Sequence, residues 1–334
     1  MREAMFYRRL NSAVQCFLCN HRCRVEDGGR GLCGVRENQG GTLYSLVFGK
    51  IAAVAVDPIE KKPLFHFLPG STAYSIATVG CNFSCLNCQN YDISQFPKPK
   101  KPVIGRDVPP EEIVEEAKKH GCRSIAYTYT EPTIFFEYAY EIAKIAKKKG
   151  LRNIFVSNGY IGEEALEAIA PYLDADNIDL KSFSDQFYRK VCGARLEPVL
   201  ETIRRHKELG IWIEVTTLVI PNLNDSEENL RKIAEFLAAL DENIPWHVSR
   251  FYPAYMLPDL YPTPIETLDK ARKIGLEVGL KHVYQGNVPG EGENTYCPSC
   301  GRLLIRRFGY QVFINNIEDS SCPYCGAHIS GVWH

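Results

Sequence analysis

The sequence predicts an α/β protein built on a partial barrel of alternating strands and helices, with a small cysteine-rich unit at each end. Three observations lead to this prediction. Between residues 73 and 284, short β-branched runs alternate with longer amphipathic stretches, which is the pattern of βαβ units and a parallel sheet. The chain of 334 residues suffices for one such domain with appendages. Eleven of the thirteen cysteines fall into three groups.

The strands of the predicted sheet are short runs rich in Val, Ile, Thr and aromatic residues. They cover residues 73–79, 124–130, 153–157, 177–180, 211–220, 246–251 and 281–285. About six strand–helix units fit a (β/α)6 barrel of the TIM type, complete or partial, in which functional groups follow the carboxyl ends of the strands. We therefore expect a cysteine-rich segment over 1–44, the barrel over 45–290 and a terminal module over 291–334.

Three of the helices between these strands carry clear start or stop signals. The stretch 109–121 opens with proline and acidic residues and ends with lysine, histidine and glycine. The stretch 131–150 repeats apolar residues at helical spacing and stops at a glycine. The stretch 225–240 opens with an Asp-Ser cap followed by acidic residues, which suit the amino end of a helix.

Charge and hydropathy disfavour several classes of protein. The 39 Lys and Arg against 40 Asp and Glu give a net charge of −1, whereas general nucleic-acid binders carry a basic excess. Residues 1–16 lack the long apolar core of a signal peptide, and no stretch approaches the length of a membrane span. We therefore expect a cytoplasmic protein without membrane attachment, in which thirteen cysteines serve metals rather than disulfides.

The segment GCNFSCLNCQN places three cysteines, Cys81, Cys85 and Cys88, directly after the first predicted strand. Thiolates favour an iron–sulfur cluster or zinc, and three ligands leave one coordination position open. Polar segments also follow the next three strands: TEPT, SNGY and DLKSF. Ordinary turns and helix caps would explain any one of them. Their repetition at one end of the sheet predicts a functional site there.

The spacing C-x3-C-x2-C after a strand that opens an α/β barrel resembles the signature of the radical S-adenosylmethionine (SAM) superfamily. The similarity covers residues 45–285. It is strongest to the branch that is like pyruvate formate-lyase-activating enzyme, and within that branch to the radical SAM enzyme of the AmmeMemoRadiSam system. The segments that carry it are DPIEKKPLFHFLPGS, CQNYDIS, YTYTEPT and NIDLKSF.

The resemblance implies that Cys81, Cys85 and Cys88 bind a [4Fe–4S] cluster whose fourth iron is free for the amino and carboxylate groups of SAM. Reduction would cleave SAM to methionine and a 5′-deoxyadenosyl radical, which abstracts hydrogen from an unidentified substrate. Two alternatives stay open: a glycyl-radical-enzyme activase, and a non-enzymatic iron–sulfur or zinc-ribbon binding protein. The implied partners are a substrate that could be a protein, a reductant such as ferredoxin or flavodoxin, and Memo-type and AMMECR-type proteins.

Further residues match positions that surround SAM in the family. Glu131 lies where relatives carry a glutamate that meets the SAM amino group. Ser157 and Asn158 match a turn near the SAM carboxylate. Asp179 and Lys181 match an Asp-x-Lys segment after the fourth strand, where the lysine can pair with a carboxylate, although a surface ion pair is the simpler alternative.

The sequence departs from the family pattern at three places. Val156 replaces the aspartate of the turn that Ser157 and Asn158 match, which weakens the case for the cation site that some relatives build there. Tyr129 and Thr130 replace two glycines that precede the glutamate in relatives, so backbone contacts expected there are in question. Asn87 stands where relatives carry an aromatic residue near the adenine ring. We therefore expect another side chain to hold adenine, with Tyr91 and Phe83 as the candidates.

Three isolated residues have both a functional and a structural interpretation. His247, on a late strand, matches a segment that lines the pocket in relatives, but most single histidines are structural. Cys122 lies between a helix and a strand and is expected to pack in the core. Cys192 lies after the fourth strand, where it could donate a hydrogen atom, although packing is the favoured interpretation.

The last cysteine group consists of two knuckles, CPSCG and CPYCG, of the kind found in zinc ribbons and rubredoxins. Its members are Cys297, Cys300, Cys322 and Cys325. Zinc is the favoured ion, and an iron that passes electrons is the alternative. Nucleic-acid binding by this module is disfavoured by the net charge, although basic and aromatic residues are available: Arg302, Arg306, Arg307, Phe308 and Tyr310.

The first cysteine group has the spacing C-x2-C-x3-C-x9-C. Its members are Cys16, Cys19, Cys23 and Cys33. Zinc is the default for a short segment that needs a metal in order to fold. A second iron–sulfur cluster is the alternative, and the sequence leaves both open.

Overall fold

The computed structural model describes residues 1–98 and 101–334. The chain begins with a β-rich module. Its strands are β1 (Arg2–Glu3), β2 (Tyr7–Leu10), β3 (Ala13–Cys16), β4 (Arg24–Val25), β5 (Arg36–Gln39), β6 (Thr42–Ser45) and β7 (Lys50–Ile51). They form two three-stranded antiparallel sheets, ordered β1-β6-β5 and β2-β3-β4, while β7 pairs elsewhere.

The central sheet has eight strands. A ninth, short strand from the same part of the chain lies outside this sheet and pairs with β7. In chain order these strands are β8 (Ala53–Pro58), β9 (Thr72–Ala77), β10 (Arg106–Asp107), β11 (Ser124–Tyr127), β12 (Arg152–Ser157), β13 (Ala175–Asp179), β14 (Trp212–Val219), β15 (Trp246–Arg250) and β16 (Val283–Gly286). The sheet order is β16-β15-β14-β13-β12-β11-β9-β8, and β10 is the strand that pairs with β7. Only β8 runs antiparallel to its neighbour, and β8 and β16 form open edges.

Helices connect the parallel strands and cover the sheet. They are α1 (Tyr91–Ser94), α2 (Pro110–Lys119), α3 (Phe136–Lys148), α4 (Glu163–Ile169), α5 (Asp185–Phe187), α6 (Glu197–Glu208), α7 (Glu227–Leu240) and α8 (Ile265–Val278). The predicted cap of α7 is present, since the Ser226 side chain accepts a hydrogen bond from the Asn229 backbone N–H. A 3-10 turn over Pro132–Phe135 precedes α3 within the stretch predicted as one helix.

The α/β prediction is confirmed, and each of the seven predicted strands overlaps a strand of the parallel sheet. The second strand ends at Tyr127 rather than at 130 because Tyr129 adopts a left-handed conformation with φ +61°, which turns the chain. Strand β8 was not predicted. It lies at an edge and alternates half-buried with exposed residues, so its pattern is weaker than that of a buried strand.

The chain ends in a second small module with a three-stranded antiparallel sheet. Its strands are β17 (Thr295–Tyr296), β18 (Leu303–Phe308) and β19 (Gln311–Asn315), in that order. Arg307 of β18 is 3% exposed and points into the barrel, where its guanidinium lies 4.3 Å from the centre of the Phe65 ring. The prediction that Arg307 is a surface residue available to nucleic acid is therefore wrong.

The N-terminal module shares a continuous apolar core with the barrel. Val14 and Leu43 of this module belong to the same buried cluster as Phe136 and Ala139 of α3. Complete burial of a large apolar side chain stabilises a fold by roughly 1.5–3 kcal/mol. Cys122 is buried in this cluster, as expected. Within the described part of the chain, no helix combines the length and the apolar character needed to cross a membrane.

Candidate active site

A cavity of about 490 Å³ lies at the carboxyl ends of the parallel strands. It is lined by the predicted cluster ligands and by the residues matched to the surroundings of SAM: Cys81, Cys85, Cys88, Glu131, Ser157, Asn158, Asp179, Lys181 and His247. All but His247 come from the loops that follow β9, β11, β12 and β13, or from the last residues of those strands, whereas His247 is the second residue of β15. Because parallel strands all end at the same edge, the fold brings them together.

A π-helical turn over Tyr188–Cys192 supports the loop that carries the three cysteines. The Ser84 N–H donates to the Cys192 carbonyl at 2.9 Å, and the Leu86 N–H donates to the Val191 carbonyl at 2.9 Å. π-helical turns are rare and are frequently found at functional sites. The backbone of the loop between the cysteines is therefore fixed from outside the cavity.

The three thiols differ in acidity. Burial raises the pKa of Cys81 and of Cys88, so these thiols must release protons when they bind a metal. A hydrogen bond from the Cys192 thiol lowers the pKa of Cys85, and the nearby Lys181 charge acts in the same direction. Cys192 is fully buried and therefore packs, as the sequence favoured, but it packs against a cysteine of the loop.

Glu131 is a buried carboxylate at the cavity wall. Its Oε1 accepts hydrogen bonds from the Thr133 N–H at 3.1 Å and the Thr133 hydroxyl at 2.6 Å, and its Oε2 accepts from the Asn158 N–H at 2.8 Å. Burial raises the pKa of Glu131 to about 7. No basic side chain of the described residues forms an ion pair with it. It is suited to receive a cationic group of a ligand.

Asn158 and Ser157 lie next to each other but face different partners. The Asn158 side-chain amide donates to Asn82 Oδ1 at 2.7 Å, which joins the loop after β12 to the cysteine loop. The Ser157 hydroxyl donates instead to Asp176 Oδ2 at 2.8 Å, inside the sheet. Ser157 thus uses its side chain for the fold, whereas Asn158 holds the two ligand-binding loops in register.

Asp179 and Lys181 form an ion pair of 2.7 Å at the end of β13. The Lys181 side chain is 17% exposed and that of Asp179 is 36% exposed, so the pair is partly buried rather than fully at the surface. Burial opposes the charge of Lys181, but the neighbouring Asp179 and the Cys85 thiolate hold its pKa well above the usual value. The cavity that Glu131 lines therefore also contains a protonated lysine.

His247 lies on the cavity floor and is 1% exposed. Its Nε2 lies 2.7 Å from Glu214 Oε2, and its ring packs edge-on against Phe65 with the ring centres 4.8 Å apart. Glu214 also accepts the backbone N–H groups of Phe65 and His66, at 2.9 and 2.7 Å. His247 thus fixes the segment before the cysteine loop, which matches the structural interpretation of this residue.

The sequence analysis missed one wall of the cavity. Buried Lys62 donates to Asp57 Oδ2 at 2.6 Å and lies 4.5 Å from the centre of the Tyr129 ring, and the Tyr129 hydroxyl also hydrogen-bonds Asp57. Burial lowers the pKa of Lys62 to about 8. The segment 57–71 had been noted only as part of a resemblance. On the far side, Tyr310 of the C-terminal module contributes to the lining.

Of the two side chains expected to hold adenine, one lines the cavity and the other does not. Phe83 is fully buried and lines the cavity, whereas Tyr91 is 46% exposed and stacks on Tyr255 with ring centres 4.7 Å apart. Asn87 Oδ1 and Asn82 Nδ2 are buried without a hydrogen-bond partner among the described residues. Of these two residues only Asn87 lines this cavity, whereas Asn82 faces the cavity of the N-terminal cysteines. Three thiols, a carboxylate, an ammonium group and the unpaired Asn87 amide oxygen at one cavity fit an iron–sulfur cluster and SAM.

The two terminal cysteine groups also assemble in space. In the C-terminal module, Sγ of Cys297 lies 3.7 Å from Sγ of Cys325, and Sγ of Cys300 lies 3.8 Å from Sγ of Cys322. All four sulfurs lie within 4.8 Å of one another, so this group could bind a metal ion. The four N-terminal cysteines line a separate small cavity.

Comparison with known proteins places these features in a family. The model of the radical SAM superfamily matches residues 75–237. An uncharacterised protein of Methanocaldococcus jannaschii is 51% identical over 334 residues, covering 98% of this chain and 99% of the relative. The pyruvate formate-lyase-activating enzyme of Clostridium pasteurianum is 24% identical over 220 residues, covering 62% of this chain and 89% of the relative.

Among solved structures, SuiB of Streptococcus suis bound to S-adenosylmethionine has a similar fold. The TM-score is 0.51 at 14% sequence identity, and the match covers 69% of this chain and 53% of that chain. Superfamily members are enzymes, so the non-enzymatic alternative is not retained. With its three-cysteine loop after β9 and its parallel α/β sheet, this chain carries a radical SAM domain over residues 75–237.

Proposed function

We propose that this protein binds a [4Fe–4S] cluster and reductively cleaves SAM to a 5′-deoxyadenosyl radical, which abstracts a hydrogen atom from a substrate. The observation that carries the proposal is the single cavity at which Cys81, Cys85 and Cys88 meet Glu131 and Lys181. The cluster and SAM supply the radical chemistry when bound. The protein binds them, orients them and limits the access of water.

The cavity residues have separable roles. Cys81, Cys85 and Cys88 hold the cluster through their thiolates. Glu131 receives the ammonium group of SAM, because it is a buried carboxylate without a cationic partner among the described residues. Lys181 pairs with the SAM carboxylate, and Asp179 keeps that lysine in place at 2.7 Å.

We infer that zinc occupies the C-terminal quartet, because four thiolates at mutual distances of 3.7 and 3.8 Å suit a tetrahedral ion. A rubredoxin-type iron would have a similar geometry and remains the alternative. We also place the protein in the cytoplasm, where its thirteen cysteines stay reduced and free for metals. A low-potential donor such as ferredoxin or flavodoxin would supply the electron.

A narrower candidate is a glycyl-radical-enzyme activase, which the activating-enzyme relatives favour. In that case the substrate is the backbone of a partner protein. The resemblance to the AmmeMemoRadiSam system instead proposes Memo-type and AMMECR-type partners. Incubation with SAM, a reductant and each partner would separate them, since only an activase produces a glycyl radical that electron paramagnetic resonance (EPR) detects on the partner.

The direct test uses anaerobically purified protein with its iron–sulfur content restored. After reduction and addition of SAM, mass spectrometry should detect 5′-deoxyadenosine for the wild type and none for Cys85→Ala. Wild-type protein with an intact cluster that neither binds nor cleaves SAM would contradict the proposal. Binding without cleavage that persists in the presence of each partner would contradict the hydrogen-abstraction step.

A further inference from the structure

The four N-terminal cysteines are spaced differently from the C-terminal quartet. Four sulfurs around one tetrahedral ion at about 2.3 Å lie about 3.8 Å apart. Within the described residues, only Cys297, Cys300, Cys322 and Cys325 form a group of three or more ligand atoms that all lie within 4.8 Å of one another. No three of the N-terminal sulfurs are therefore as close together as a single zinc ion requires.

The N-terminal sulfurs nevertheless surround one space. Cys16, Cys19, Cys23 and Cys33 all line one cavity. Gly31 faces the same space, since a Cβ added to it would lie 3.8 Å from the sulfurs of both Cys23 and Cys33. Sulfurs that line one cavity but lie farther apart than a single ion allows suit a cluster in which each cysteine binds a different iron.

The radical SAM loop provides an internal reference for this spacing. Cys81, Cys85 and Cys88 also fall outside the set of ligand groups within 4.8 Å, and their family implies a [4Fe–4S] cluster there. In spacing, the N-terminal quartet thus agrees with the iron–sulfur loop and differs from the C-terminal quartet.

A buried cation lies at the same cavity. Arg36 is 2% exposed, lines the cavity and is held by Glu137, with Nη1 at 2.9 and 3.1 Å from the two carboxylate oxygens. Its Nε is buried and has no hydrogen-bond partner among the described residues. A buried N–H without a partner is costly, and a cluster with four thiolates is an anionic group that would offset this cost.

The segment that carries the N-terminal quartet is in contact with the radical SAM loop. A Cβ added to Gly80 would lie 3.0 Å from the carbonyl oxygen of Cys33 and 2.8 Å from Val35 Cγ1. His21, from the N-terminal cysteine segment, hydrogen-bonds the Asn82 carbonyl at 2.8 Å. The backbone that holds one cysteine group is thus in contact with the backbone that holds the other.

We propose that Cys16, Cys19, Cys23 and Cys33 hold a second [4Fe–4S] cluster that delivers electrons to the radical SAM site. A low-potential donor of the ferredoxin or flavodoxin class would be oxidised by one electron as the second cluster is reduced from 2+ to 1+. The second cluster would return to 2+ as it passes that electron to the cluster at Cys81, Cys85 and Cys88. No atom is transferred. The delivery step rests on the proposed function, whereas the presence of the cluster does not.

The presence of the second cluster is tested in the full chain with the variant Cys81→Ala/Cys85→Ala/Cys88→Ala, which leaves the N-terminal quartet intact. After anaerobic reconstitution we expect about four iron and four sulfide per chain, against about eight of each in the wild type. On reduction the variant should give an EPR signal that SAM does not change. A variant without bound iron, and with a zinc ion at each terminal quartet, would overturn the proposal.

Proximity is tested by EPR of the fully reduced wild type. Two reduced clusters in neighbouring loops should broaden each other's spectra, so the wild-type spectrum should differ from the sum of two single-site spectra. These come from the triple variant and from Cys19→Ser/Cys23→Ser, whose folding is checked by circular dichroism and by the metal of the C-terminal module. An additive spectrum would overturn electron delivery. Neither measurement needs SAM cleavage, so failure of the proposed function remains distinguishable.

Discussion

The two terminal modules are built alike but differ in how their cysteines are placed. Each carries four cysteines, and each is anchored to the barrel by one buried arginine. Arg36 donates to the Met5 carbonyl at 2.6 Å and pairs with Glu137 of the barrel, while Arg307 donates to the Phe65 carbonyl at 2.7 Å. The sulfurs lie within 4.8 Å of one another only in the C-terminal module.

The spacing of the sulfurs is set by neighbouring residues in the C-terminal module and by tertiary contacts in the N-terminal module. Each C-terminal knuckle is a tight turn closed by its own backbone, as in the Cys297 N–H bond to the Arg302 carbonyl at 2.8 Å. In the N-terminal module, Cys33 comes from a different part of the chain than the other three cysteines and packs against Gly80 of the barrel. The C-terminal metal site should therefore be independent of the barrel, and the N-terminal site should not be.

The largest expected effect comes from removing the C-terminal ligands with Cys297→Ser/Cys322→Ser. Binding of a structural zinc ion is worth about 10 kcal/mol or more in zinc-finger peptides, and much of that is folding free energy. The variant should lose the metal of this module and become sensitive to proteolysis after residue 290, while its iron content stays unchanged. Elemental analysis and limited proteolysis measure this. A matching loss of iron would show that the two ends depend on each other.

Removal of the N-terminal anchor should have the next largest effect. Arg36→Met leaves the Glu137 carboxylate buried and unpaired, since both side chains are 3% exposed, which costs about 3–5 kcal/mol. The free energy of unfolding in denaturant measures the loss, and the iron of the N-terminal site should fall with it. Arg152→Met is the matched control. Arg152 is 49% exposed in its ion pair with Asp174, so a loss of at most about 1 kcal/mol is expected. Equal losses in the two variants would contradict the buried anchor.

Gly80→Ala tests the contact between the two cysteine groups. The added Cβ would lie 2.8 Å from Val35 Cγ1 at a residue with φ +103°, so crowding adds to backbone strain for a loss of about 1–3 kcal/mol. Gly279→Ala is the control, since Gly279 has φ +113° but no atom within 4 Å of the added Cβ. Thermal unfolding and iron analysis should separate the two variants. Only Gly80→Ala should lower iron at both sites, and an unchanged iron content would remove the proposed contact.

The smallest expected effect compares two buried glutamates. Glu137 has an arginine partner, whereas Glu131 has none among the described residues, and burial raises the pKa of Glu131 from 4.5 to about 7. In the folded protein Glu131 therefore stays protonated up to about pH 7. The stability that this protonation contributes is complete below pH 4.5, where Glu131 is protonated in the unfolded chain as well, and it is lost as the pH rises through 7.

The measurement is the pH dependence of SAM affinity in cluster-loaded protein. Affinity should rise between pH 6 and 8, as Glu131 ionises and can pair with the SAM ammonium group. Glu131→Gln should bind about tenfold more weakly at pH 8, which is about 1.4 kcal/mol, and should show little dependence on pH. A parallel pH profile in both proteins would assign the binding to another group.

The sequence by itself determined the parts that depend on local pattern. The parallel strands follow from β-branched runs between amphipathic helices, and the cysteine loop after β9 follows from spacing alone. The residues predicted after four different strands all line one cavity, because parallel strands end at the same edge. The C-terminal quartet could be predicted from the sequence in the same way, since each knuckle is complete within five residues.

Only the tertiary structure decided which partners these residues meet. His247 is engaged by Glu214, Lys62 by Asp57 and Tyr129, and Arg307 by the barrel rather than by solvent. The distances among the N-terminal sulfurs depend in the same way on how that module packs against the radical SAM loop. The physical reason is that burial, ion pairing and sulfur spacing depend on groups far apart in the chain, whereas periodicity and ligand spacing are properties of neighbouring residues.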